Sequence, residues 1–122
     1  MTSVVVRSLD RENVPAQLRA AAAGIGAAHP EVREVRLIGS LARGERNPYA
    51  DADFLIVLEA TDVPYRDRSA VYKPLGGPVP MDLTVCTQAE LNREVVAGNP
   101  FVLRILGESL VLYSRSARQT SA

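Results

Sequence analysis

Between Asn13 and Ala28, apolar residues recur at Val14, Leu18, Ala21, Ile25 and Ala28. Spacings of four, three, four and three are the period of a helix with one apolar face. Asn13 is the expected N-cap, Pro15 falls in the first turn, and His29-Pro30 ends the helix. Gly24 and Gly26 weaken its last turns. Val35-Arg36-Leu37-Ile38 then reads as a short strand that stops at Gly39-Ser40, with a helical turn from Leu41. Phe54 to Leu58 is uninterruptedly apolar, as in a strand buried on both faces. Ala60 to Ser69 is polar, contains Pro64, and reads as a loop or a short helix. Val71-Tyr72-Lys73 and Val79 to Cys86 flank Pro74-Leu75-Gly76-Gly77-Pro78, which predicts a hairpin. Thr87-Gln88-Ala89-Glu90 has capping-box spacing and predicts a helix that ends near Gly98. Asn99-Pro100 starts a further short helix carrying Phe101, Val102, Ile105 and Leu106, closed by Gly107. Leu110 to Tyr113 is the last strand, Val4-Val5-Val6 an additional edge strand, and the tail from about Ser114 is expected to be mobile.

This alternation defines an α/β (α+β) class: a small mixed β-sheet with helices packed against it. At 122 residues the chain is expected to be one domain, residues 1–122, since it supports a single core and not two. Fourteen basic and 14 acidic residues cancel, which removes the electrostatic bias that a grip on long nucleic acid requires. Cys86 is the sole cysteine and lies in an apolar run, so an internal disulfide and a cysteine-based zinc site are excluded and a buried structural thiol is expected. No apolar stretch reaches the length of a membrane span and no signal peptide is visible, so the expected location is the cytoplasm.

The chemistry concentrates between residues 39 and 82. Side chains alternate along a strand, so Asp51 and Asp53 share a face, with Cα atoms roughly 6.5–7 Å apart. Two such carboxylates repel unless a proton or a cation intervenes, and Mg²⁺ is commonly held by carboxylates together with substrate phosphates. Upstream, the Gly39-Ser40 turn offers backbone N–H groups and a hydroxyl to phosphate oxygens, and Arg43 adds positive charge. No Gly-Lys-Ser/Thr follows, so this is not a Walker A loop. Asp82 is a third acid, embedded in an apolar strand where an isolated carboxylate is costly. Each signal alone has a plainer reading: Asp51 and Asp53 as turn or cap residues, Gly-Ser as an ordinary turn, Arg43 and Lys73 as solvated charges, His29 as a partner of the helix dipole. Tyr49, Tyr65 and Tyr72 are each able to stack on a base, and the sequence does not choose among them. The combination of Gly39, Ser40, Asp51, Asp53 and Asp82 carries the claim.

In that order and spacing the five residues resemble the signature of the minimal nucleotidyltransferases of the DNA polymerase β-like superfamily, over about residues 30 to 115. One departure is Ala50, where the family often has serine before the first acid. The resemblance implies a nucleotidyltransferase fold with catalytic, metal-binding Asp51, Asp53 and Asp82, two Mg²⁺ ions, and ATP as donor, its phosphates held by Gly39, Ser40 and Arg43. It further implies transfer of AMP to a hydroxyl acceptor. Small members of this kind resemble the MNT antitoxins of HEPN/MNT toxin-antitoxin pairs, which adenylylate a tyrosine of a HEPN-type protein partner. The alternatives are a small-molecule, aminoglycoside-type nucleotidyltransferase subunit, or an idle binding module of the same fold. A homo-oligomer is compatible with either enzyme role, because a partner subunit would complete the acceptor site.

Overall fold

The computed structural model describes residues 14–45, 52–74 and 81–115. Val4-Val5-Val6, Asn13, Tyr49, Ala50, Asp51, most of the predicted Pro74 to Pro78 turn and the tail past Arg115 lie outside the described residues. Four strands, β1 (Val32–Ile38), β2 (Ala52–Leu58), β3 (Met81–Thr87) and β4 (Leu110–Ser114), form one sheet in the order β3-β2-β1-β4. β1 runs antiparallel to both β2 and β4, whereas β2 and β3 are parallel, so the sheet is mixed as expected. The helices are α1 (Ala16–Ala28), α2 (Gly39–Ala42), α3 (Tyr65–Tyr72), α4 (Gln88–Val96) and α5 (Pro100–Glu108). Among the described residues no helix is long and apolar enough to cross a membrane.

Alternation along β2 divides the sheet into two unlike faces. Ala52, Phe54, Ile56 and Leu58 point into the core, where α1 contributes Leu18, Ala22 and Ile25. Asp53 and Leu55 point the other way, into a cavity bordered by α4 and α5. β1 starts three residues earlier than its apolar run predicts. A bulge between Val32 and Glu34 sets two steps of β1 against one step of β2, so Val32 and Val35 are both buried despite their odd spacing. Period-two reading cannot see such a strand start.

α1 begins at Ala16, with Pro15 in an extended conformation as N-cap and no side-chain capping bond. The Pro15 carbonyl accepts from the N–H groups of Leu18 and Arg19. Its buried stripe is Leu18, Ala22, Ile25 and Gly26, while Ala28 is exposed. Gly26 is a packing notch: a Cβ there would strike the Tyr113 ring on β4, whereas one on Gly24 would meet nothing within 4 Å. Gly26→Ala is therefore expected to destabilise the protein by about 1–3 kcal/mol through overpacking. Gly24→Ala is expected to stabilise it by up to about 1 kcal/mol through helix propensity alone. Urea unfolding of the two variants measures the contrast.

The predicted hairpin is replaced by a crossover. Val71 and Tyr72 belong to α3, which connects parallel strands that no tight turn can join. Tyr72 enters the core and its hydroxyl donates to Glu31. One turn earlier Arg68 is also buried; it donates to the Val63 and Val85 carbonyls and makes a two-pronged contact with Glu90 at 2.8 and 3.2 Å.

Glu90 belongs at the same time to the predicted capping box, which is present. The Thr87 hydroxyl accepts from the Glu90 N–H at 3.1 Å and Glu90 Oε1 accepts from the Thr87 N–H at 2.9 Å. The Arg68 hydrogen bond first, and the Thr87 N–H second, lower the Glu90 carboxyl from 4.5 to about 2. A depressed folded-state pKa gives stability that is complete above the unfolded value near 4.5 and is lost as pH falls through about 2. Glu90→Ala removes the Glu90 half of the capping box, leaving the Thr87 hydroxyl cap, and takes the carboxylate partner from a buried guanidinium. With the carboxylate a third exposed and partly screened, the expected loss is about 1–3 kcal/mol. Wild type and variant should converge in urea midpoint as pH approaches 2. Downstream, the Asn99 side chain accepts from the Phe101 and Val102 N–H groups, with Pro100 in the first turn, as the sequence predicts. Gly107 lies inside α5, which runs on to Glu108.

Candidate active site

The chain leaves β1 at Ile38, whose register partner across the antiparallel pair is Asp53. Gly39 then turns it with φ of +80°, a conformation that costs a side-chain-bearing residue strain, and opens α2. The N-cap of α2, Ile38, makes no side-chain capping bond. Glycine is required twice over here, because a Cβ at Gly39 would lie 2.5 Å from Asp53 Oδ2. The absence of that carbon lets a main-chain turn sit directly against a carboxylate.

Asp53 is half-buried, and on the parallel neighbour β3 its register partner is Asp82. Register partners on adjacent strands are about 4.8 Å apart and project to one face, so the two acids of separate sequence segments share a surface. Asp82 is exposed, on the edge strand of the sheet. Asp51 lies outside the described residues, and among those described no group of three His, Cys, Asp or Glu side chains is placed to hold a metal. Asp53 and Asp82 supply hard oxygen donors only, the donor chemistry that suits Mg²⁺ and not a thiol- or imidazole-preferring ion.

Ser40 is half-buried, and its carbonyl accepts from the N–H groups of Arg43 and Glu45, which tightens the turn. Arg43 borders the same cavity but is engaged by carboxylates, Glu45 at 3.0 Å and Glu108 at 3.4 Å. The Glu45 hydrogen bond, and then its charge, hold the guanidinium above its ordinary pKa. These contacts use Nε and Nη1, two of the five donors a guanidinium carries.

The cavity has a volume of about 780 Å³, within the usual range for small-ligand sites. Gly39, Arg43 and Asp53 line one part of it, with Leu55, Thr84 and Cys86 along the sheet and α4 and α5 as the opposite wall. Cys86 is thus half-buried at a cavity and not in the core, and burial first, then the nearby Glu90 charge, push its thiol up to about 11. A thiol so protonated is inert at neutral pH. His29 caps α1 and packs edge-on against Tyr72 on the other face, and Lys73 is exposed beyond α3. Of the three tyrosines able to stack on a base, Tyr65 borders the cavity, Tyr72 is in the core and Tyr49 lies outside the described residues, while Phe101 at the cavity and the Arg68–Glu90 link are features the sequence reading missed. Aromatic and arginine at a spacing of three, in Tyr65/Arg68 and Phe101/Arg104, were the available signal.

Residues 22–111 match the family model of the nucleotidyltransferase domain, and the chain belongs to that family. It is therefore a transferase by class, and its reaction is transfer of a nucleoside monophosphate from a nucleoside triphosphate. A crystal structure of a protein from Sulfolobus solfataricus assigned as a nucleotidyltransferase superposes with a TM-score of 0.61 at 17% identity, over 93% of this chain and 95% of that one. At that identity the likeness establishes the fold. A search of curated proteins found no match.

Proposed function

We propose that the protein is a metal-dependent adenylyltransferase that moves AMP from ATP to a tyrosine hydroxyl of a HEPN-type partner and acts as its antitoxin, in one nucleotidyltransferase domain. The observation that carries the active-site part is the bare Gly39 turn against the Asp53 carboxylate, with Asp82 alongside on the next strand. The partner and antitoxin parts rest on the family resemblance. Asp51, Asp53 and Asp82 would hold the metal, which when bound neutralises charge on the attacked phosphate and on the departing pyrophosphate. Gly39 and Ser40 orient the β- and γ-phosphates through their N–H groups, and Arg43 adds a charge-assisted hydrogen bond to a phosphate oxygen. Asp82, exposed at the sheet edge, faces the approach of the acceptor. The acceptor oxygen bonds to the α-phosphorus, the bond to the β-phosphate oxygen breaks with its electron pair leaving on pyrophosphate, and the hydroxyl proton passes to solvent. Catalysis then consists of positioning and charge neutralisation.

Calorimetric titration with ATP, with and without Mg²⁺, followed by mass spectrometry of the co-incubated partner, tests the proposal. Metal-dependent binding and one or more adenylyl increments on a partner tyrosine are expected. Binding without any increment would reject the protein-acceptor reading, and absence of binding would reject the site.

A further inference from the structure

Two aromatic side chains border the cavity that holds Gly39 and Asp53, and both are left to solvent: Tyr65 is 65% exposed and Phe101 60%. Each stands in the first turn of its helix with a guanidinium three residues on over its ring. Arg68 Cζ lies 5.6 Å from the Tyr65 centroid and Arg104 Cζ lies 5.8 Å from that of Phe101. Arg68 is itself immobilised by Val63, Val85 and Glu90, so the Tyr65 ring rests on a fixed support. The other described aromatic residues are unavailable to a ligand here. Phe54 and Tyr72 are in the core, and Tyr113 packs against Gly26 on the opposite face.

The helix α5 also sets a scale. Its last residue, Glu108, pairs with Arg43 beside the Gly39 turn, and Phe101 lies seven residues earlier, about 10 Å away along the axis. A ligand with a phosphate chain at Gly39 and a planar ring one ribose further on spans that interval.

We infer that Tyr65 and Phe101 form the nucleobase subsite, where the base stacks on their exposed aromatic faces while its triphosphate reaches Gly39 and Arg43. This rests on the reading of the Gly39–Asp53 region as the triphosphate site. Stacking engages the face of a base and not its edge, so ATP and GTP are expected to bind with similar affinity.

The test is calorimetric titration, in Mg²⁺, of wild type, Tyr65→Ala, Phe101→Ala and the ring-preserving Tyr65→Phe, each with ATP and with inorganic tripolyphosphate. Each alanine variant is expected to bind ATP about 5- to 100-fold more weakly, tripolyphosphate binding should be unchanged, and Tyr65→Phe should retain wild-type affinity. Unchanged ATP affinity in both alanine variants overturns the inference, as does parallel weakening of ATP and tripolyphosphate. A wild-type protein that binds tripolyphosphate as tightly as ATP removes the aromatic subsite while keeping the phosphate site. A protein that binds neither removes both.

Discussion

Asp53→Asn is expected to lower nucleotidyl transfer by roughly 10²–10³-fold or more and to abolish the metal-dependent part of the heat of ATP binding. The substitution keeps the shape of the side chain and removes its charge, so the β2 backbone and its pairing with β1 and β3 have no reason to move. The urea midpoint should therefore shift by no more than about 1 kcal/mol in stability. Asp82→Asn makes the comparison sharper. Its carboxylate is exposed on the edge strand, so folding should be indifferent to it, while transfer should fall by a similar factor. If either variant retains wild-type turnover, that residue does not hold a metal. The pair also separates the carboxylates from the cavity as a whole, because tripolyphosphate binding through Gly39 and Ser40 should survive in part when metal-dependent binding is gone.

How far the sequence reading reached depended on whether the determining contact was local. The capping box at Thr87 and Glu90, the Asn99-Pro100 helix start and the apolar β2 run are specified within four or five residues, and each element lies where its pattern predicts it. The bulge in β1 depends on how Val32 and Glu34 pair with Leu58 and Val57, more than 20 residues away, and no local period encodes it. The supposed hairpin failed for a related reason. Val71-Tyr72 has the composition of a strand, but Tyr72 is drawn into the core beside Glu31, and Arg68 is anchored to Glu90 on another helix. Gly26 was read as a weak point in a helix, and its worth is visible only once Tyr113 is seen against it. The site followed the same rule. Gly39, Asp53 and Asp82 were legible as a spaced signature, but the direct apposition of Gly39 and Asp53 is a tertiary fact.

That apposition supports the second large prediction, that Gly39→Ala is nearly as damaging to transfer as loss of a carboxylate. Two costs combine. Alanine at φ of +80° is strained by about 1–2 kcal/mol, which lowers stability without touching chemistry. Its Cβ would also sit 2.5 Å from Asp53 Oδ2, so either the carboxylate or the turn must give way by about 1 Å to reach ordinary contact. A displacement of that size in a reacting constellation costs on the order of 10²-fold in rate. Gly98 separates the two effects, because it has nearly the same backbone angle, +75°, but nothing within 4 Å of the place where a Cβ would stand. Gly98→Ala should lose stability by a comparable amount and keep full transfer activity, while Gly39→Ala should lose both. Equal activity in the two variants would mean that the Asp53 carboxylate tolerates displacement, and the close approach of the turn would then be a feature of packing and not of catalysis.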